Sequence, residues 1–142
     1  YNMERLCAKF RTAADLVPQP VLRSAAQATP LGVLYFGSTS PAMQEALDRL
    51  TAANIHMDAL RLRAFPFPES VDRFIAAHEQ VFVVEQNRDA QMHALLVNEL
   101  GVDPARLVKV LHYDGTPITA RFITQAIESY LQGATAPVKE AA

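Results

Sequence analysis

The 142 residues (15.6 kDa) are half hydrophobic and one-fifth charged. That is the balance of one globular domain able to bury a core, not of a disordered chain. Thirteen basic against fifteen acidic residues give a net charge of −2, which argues against nucleic acid or a membrane surface as the main partner, since both want a basic excess.

The chain opens directly on a helical pattern. Met3, Leu6, Cys7, Phe10, Ala14 and Val17 recur at helical spacing as one apolar stripe, on which the lone Cys7 reads as a small buried hydrophobe. One cysteine excludes an internal disulfide framework, a cysteine-ligated zinc site and an iron–sulfur cluster held by this chain alone. Pro18-Gln19-Pro20 stops the helix, so residues 1–17 are expected to form a leading helix. A helix entered without a preceding loop reads as a fragment of a longer protein. No apolar run approaches the ~20 residues of a membrane span and no signal-peptide pattern is present, so a cytoplasmic domain is expected.

Residues 18–133 are expected to form a single α/β domain. Val21-Leu22-Arg23 is a short strand candidate, possible in antiparallel sense. Val33–Phe36, Ala59–Arg63, Val81–Val84 and Leu107–Leu111 are β-rich runs. The first and third are apolar throughout, as strands covered on both faces must be, whereas Leu60 and Leu62 alternate with Arg61 and Arg63 in a strand nearer an edge. Helical stripes follow each run. Ser40-Pro41 predicts a capped helix start ahead of Met43, Ala46, Leu47 and Leu50. Val71, Phe74, Ile75 and His78 mark the next helix; Met92, Leu95, Leu96 and Leu100 mark another, closed by Gly101. Thr116-Pro117 predicts the start of a last helix bearing Phe122, Ile123, Ala126, Ile127, Tyr130 and Leu131. The tail, 134–142, has no periodicity and is expected to be flexible. Four strand–helix units in series predict a three-layer α/β/α fold around a mostly parallel sheet of about five strands.

In such a sheet, function gathers where the strands end. Gly37-Ser38-Thr39, ahead of a helix, is a candidate phosphate or anion site as well as an ordinary tight turn; neither P-loop nor dinucleotide-binding spacing is present. Glu85-Gln86-Asn87-Arg88-Asp89 packs three charges and two amides after a buried strand. There Arg88 is able to clamp an anion or a partner's acid, and the same string also reads as a local capping and ion-pair cluster with Asn87 as cap. Turn chemistry explains most of His112–Pro117, with Arg121 one turn on. Phe65-Pro66-Phe67-Pro68 reads as cover for a core edge or an interface. The four histidines fall on different elements with no metal-binding spacing, and no nucleophile elbow exists, so no catalytic residue and no metal ligand is assigned.

The strings Leu34-Tyr35-Phe36-Gly37-Ser38-Thr39, Leu62-Arg63-Ala64-Phe65-Pro66-Phe67-Pro68, Val81–Gln91 and Leu111–Arg121, with the opening Asn2-Met3-Glu4-Arg5-Leu6, resemble the C-terminal part of the α subunit of 2-oxoacid:ferredoxin oxidoreductases. The 2-oxoglutarate type is the closest, over about residues 2–131. The resemblance implies a domain similar to the transketolase C-terminal domain. It implies a parent enzyme that oxidatively decarboxylates a 2-oxoacid with coenzyme A, giving acyl-coenzyme A, carbon dioxide and reduced ferredoxin. Thiamine diphosphate, Mg2+ and an iron–sulfur cluster would sit on other domains or on the β subunit, since this chain has no Gly-Asp-Gly with a later Asn. Its partners would be the rest of the α subunit, the β subunit and, through the complex, ferredoxin. On that reading Phe65, Phe67, Glu85, Asn87, Arg88, Asp114 and Arg121 are interface or crevice candidates. Two other readings are an independent nucleotide or coenzyme A module using Gly37, Ser38, Thr39 and Arg88, and a scaffold dimerisation domain.

Overall fold

The structure, a computed structural model, describes residues 1–133; the tail expected over 134–142 lies outside the described residues. Helix α1 (Asn2–Leu16) is followed by β1 (Val21–Arg23), β2 (Leu31–Phe36), α2 (Ser40–Ala52), β3 (Asp58–Leu62), α3 (Glu69–Ala77), β4 (Gln80–Glu85), α4 (Gln91–Leu100), β5 (Leu107–Leu111) and α5 (Ala120–Leu131). The strands form one sheet in the order β1-β3-β2-β4-β5. All pairings are parallel except β1 with β3, where Val21 faces Arg61 and Arg23 faces Ala59 in antiparallel register. The three-layer α/β/α fold and the short antiparallel strand are as the sequence predicts.

Burial follows the side-chain alternation of each strand. Val33, Tyr35, Phe82, Val84, Val108 and Val110 pack under α2 and α5, with Met43, Leu50, Ile123 and Ile127 closing that core. Leu34, Leu60, Leu62, Val81 and Val83 face the other way, under α3 and α4. Because β2 and β4 are central, their apolar runs are covered on both faces; Val33, Leu34, Val83 and Val84 are fully buried.

Helix α1 departs from expectation. None of its residues is buried, Met3 is 70% and Phe10 53% exposed, and Cys7 is exposed rather than packed. The stripe is present, but among the described residues it has no core to face. Two helix starts are also corrected. Ser40 is not a cap: a 3-10 turn, Gly37–Thr39, runs straight into α2, so Ser40 already lies within helical backbone. The last helix is capped not by Thr116 but by Thr119, whose hydroxyl accepts the Phe122 N–H at 3.2 Å. Thr116 is instead held by Asp114, which accepts from its N–H and its hydroxyl.

The amino ends of the strands are tied down. Asp58 accepts the Ala25 N–H at 2.7 Å and meets His78 Nε2 at 3.0 Å, while His78 Nδ1 lies 2.7 Å from the Phe74 carbonyl. The Arg106 guanidinium donates to the carbonyls of Ala76 and His78. The carboxyl ends are more open.

Candidate functional site

The chain passes from β2 to β3 on one side of the sheet and crosses to β4 on the other, so the strand order reverses at β2. The chain leaves the carboxyl ends of β2 and β4 for neighbours on opposite sides there, the usual place for a ligand crevice in an open α/β sheet. The loops after β2 and β4 and the first turns of α4 enclose a cleft of about 450 Å³.

Gly37 turns the chain out of β2 at φ +58°, a conformation that costs glycine little; no atom crowds a β-carbon there, so backbone freedom is what the position requires. Ser38 and Thr39 line the cleft. Across it, β4 ends in Glu85, which is fully buried. Its carboxylate accepts the N–H groups of Met92 at 2.7 Å and His93 at 2.8 Å, and the Asn87 amide at 2.8 Å. The residue before α4 is Ala90, held at φ +51° with no side chain able to cap. Glu85 and Asn87, which accepts the Gln91 N–H at 3.2 Å, therefore supply the cap from upstream. This corrects the expectation for Glu85: with both oxygens engaged beneath the loop, it offers nothing to a partner at the surface.

Gln86, not singled out in the sequence, joins three loops. Its Nε2 donates to Ser38 Oγ at 3.0 Å and Thr39 Oγ1 at 3.2 Å, and its Oε1 accepts the Ile118 N–H at 3.3 Å. Its position directly after a buried strand was the available signal, hidden because charges draw attention before amides do. A second lobe of about 350 Å³ adjoins the first, sharing Phe36, Gly37 and Met92 with it. Phe65 and Phe67 form its aromatic wall, their rings edge-to-face at 5.3 Å. Phe65 is 46% exposed.

The structure thus brings together Gly37, Ser38, Thr39 and Asn87 in one lobe, and Phe65 and Phe67 in the next. Arg88 is not among the lining residues. It is exposed and paired with Asp89 at 2.8 Å, a bond that holds its guanidinium above its ordinary pKa. Asp114 lies on the loop after β5, 3.3 Å from His112 Nε2. Arg121 lies elsewhere, beside Glu45, Arg49 and Thr119 in a shallow depression between α2 and α5. It does not start a helical turn after Pro117, because α5 begins only at Ala120.

Among the described residues no charged side chain lines the first lobe, and Arg63 is the one charged residue lining the second. A magnesium diphosphate needs carboxylates for the metal and cations for the phosphates, so these residues do not fit thiamine diphosphate. Among the described residues no three of His, Cys, Asp and Glu come together as a metal-binding group. No described helix is long and apolar enough to cross a membrane.

A three-layer α/β/α domain with an open carboxyl-end cleft is therefore what fold and site define. No protein-family model matches the chain, and no curated protein matches it. Solved structures do. The chain is similar to 2-oxoglutarate:ferredoxin oxidoreductase from Magnetococcus marinus, a structure with 2-oxoglutarate, coenzyme A and succinyl-CoA bound, at 23% identity and a TM-score of 0.75 over 85% of this chain. It spans only 21% of that much longer chain. It is also similar to the α chain of a probable 2-oxoacid ferredoxin oxidoreductase from Thermoplasma acidophilum, at 25% identity and a TM-score of 0.53, over 80% of this chain and 97% of that one.

Proposed function

We propose that this chain is a domain of the α subunit of a 2-oxoacid:ferredoxin oxidoreductase of the 2-oxoglutarate type, and that it serves structure and subunit assembly rather than turnover. The observation that carries this reading is the fold similarity to the two oxidoreductase chains, which extends over most of this chain. The parent enzyme would decarboxylate a 2-oxoacid oxidatively with coenzyme A and pass two electrons to ferredoxin. Thiamine diphosphate, Mg2+ and an iron–sulfur cluster would belong to other domains or to the β subunit. Residues 18–133 would be the domain itself and 1–17 the helix leading into it.

Two surfaces suit assembly. Helix α1 carries an apolar stripe that the rest of the described residues leave exposed. At the carboxyl edge, Phe65 and Arg88 are exposed around the cleft mouth, with Phe67, Asn87 and Asp114 set further in. Arg121 is exposed at the N-terminus of α5. Exposed aromatic and arginine side chains are the residue types that interfaces favour.

The test is recovery of the chain from its own cells through an affinity tag. The expected result is co-purification with the other subunits of the oxidoreductase; a chain that emerges alone would overturn the reading. A thermal melt of the isolated chain separates the nucleotide-module alternative. A ligand at about 100 times its Kd adds about 2.7 kcal/mol, a readily visible shift. No shift is expected with thiamine diphosphate or ATP, and a shift with ATP and coenzyme A alike would favour that alternative, with Gly37, Ser38 and Thr39 as its anion site.

A further inference from the structure

The two-lobed cleft has a hydrogen-bond polarity that can be read from Gln86. The backbone N–H of Ile118 can only donate, so the amide oxygen of Gln86 must face it and the amide nitrogen must face Ser38 and Thr39. The Ser38 and Thr39 hydroxyl oxygens are thereby committed as acceptors. Each keeps its own O–H, and among the described residues neither hydroxyl donates to a protein acceptor. Asn87, the other amide beside them, gives one N–H to Glu85 and accepts the Gln91 N–H, which leaves its second amide hydrogen as a further donor. The first lobe therefore offers donors, fixed by a relay that runs from Ile118 through Gln86 to two hydroxyls.

The second lobe offers the opposite chemistry: Phe36, Leu62, Phe65, Phe67 and Met92 make an apolar wall. Phe36, Gly37 and Met92 line both lobes, so one molecule can lie across the junction. Among the described residues the only charged one lining either lobe is Arg63, a cation. Volumes of about 450 and 350 Å³ are those of small-molecule sites, which run from about 300 to 1,000 Å³.

The geometry points to a binding site for a small ligand with an aromatic or branched apolar body and a carbonyl or carboxylate oxygen at one end. The oxygen accepts from Ser38 and Thr39, and the body lies over Met92 against Phe65 and Phe67. A cationic head would meet Arg63, with no carboxylate among the described lining residues to pair with it. Gln86 lines the same lobe, but both of its amide hydrogens are already given to the hydroxyls and its oxygen takes the Ile118 N–H, so its part is to set the direction of the hydroxyls. This site does not rest on the assembly reading, although it shares Phe65 with the surface proposed for it; binding is therefore read on the chain by itself, where failure to bind leaves the assembly reading intact and failure to assemble leaves the site intact.

The experiment follows the methionine methyl signals of the whole chain by NMR during titration with phenylpropanoate, phenylpropanamide or phenylpropylammonium. Met92 lines both lobes, whereas Met43 and Met57 belong to the core on the opposite face of the sheet and serve as references for the fold. The Met92 signal is expected to move with the carboxylate and the amide and to stay with the ammonium, while Met43 and Met57 stay throughout. Comparing carboxylate with amide separates an anionic ligand, favoured by Arg63, from a neutral carbonyl. Gln86→Glu can still accept the Ile118 N–H but cannot donate, so both hydroxyls turn to it. Phenylpropanoate affinity should then fall at least about tenfold, the scale of a lost charge-assisted hydrogen bond. Should that variant misfold, Ser38→Ala, at an exposed serine, should weaken the same probe with Met43 and Met57 unmoved. A Met92 signal that ignores phenylpropanoate, or answers the ammonium equally, would overturn the proposal, as would a folded Gln86→Glu chain that binds the carboxylate as the parent does.

Discussion

The Glu85 carboxylate accepts the backbone N–H of His93, eight residues on, at 2.8 Å, so the last residue of β4 caps the helix that follows. With Met92 N–H and the Asn87 amide also bound, one buried side chain organises the entire turn. Glu85→Gln replaces an oxygen by an N–H donor facing other donors. The expected loss is about 2–3 kcal/mol, and roughly 5–10 °C in Tm, read by thermal or urea unfolding. A melting point unchanged from the parent would show that the cap is dispensable.

Gly32 owes its identity to a neighbour. A β-carbon there would sit 3.0 Å from two atoms of the Phe74 ring and 3.1 Å from His78 Cγ. Both rings belong to the knot that closes the amino ends of the strands, where His78 meets Asp58. Gly32→Ala should cost about 1–3 kcal/mol through displaced packing, measurable by urea unfolding.

Two threonines make a paired test of the α5 start. Thr119→Ala removes the cap on Phe122 and should cost about 1 kcal/mol. Thr116→Ala, which touches only the exposed turn at Asp114, should leave the unfolding midpoint nearly unchanged. Equal losses would return the helix start to Thr116-Pro117.

His93 gives the fold a pH dependence. Burial, foremost, and the Lys109 charge push its pKa below the ordinary 6.5, against the opposing pull of Glu85 and of the Leu107 and Pro104 backbone. The unfolded chain therefore binds the proton more readily than the folded one, and this residue's contribution to stability is lost as pH falls through and below about 6.5. His93→Gln should flatten that part of a stability-against-pH curve measured between neutral and mildly acid conditions.

Arg88→Ala removes an exposed ion pair with Asp89. It should leave the isolated chain's Tm in place and weaken association with the other subunits, measured side by side by melting and by titration calorimetry. Equal subunit affinity in parent and variant would remove Arg88 from the interface.

The sheet was legible because its signal is local: apolar runs such as Val81–Val84 can only be central strands, and Pro18, Gly101 and the strand-end polar strings punctuate the rest. Helix α1 shows the limit of periodicity. An apolar stripe states that a helix wants a partner, not that its own chain supplies one, and so Cys7 was placed in a core that α1 does not meet. Glu85 shows another limit. A carboxylate in a charged string looks like a surface group until three donors from later in the chain converge on it. Gln86 depended on contacts 32 to 48 residues away, which no local spacing encodes.

The most direct measurement is electron transfer by the intact assembly that contains this chain, with 2-oxoglutarate and coenzyme A as substrates and ferredoxin as acceptor. The expected result is reduction of ferredoxin that requires both substrates, and none from the isolated chain. An intact assembly that leaves ferredoxin oxidised with every 2-oxoacid offered, or an isolated chain that turns over alone, would contradict it.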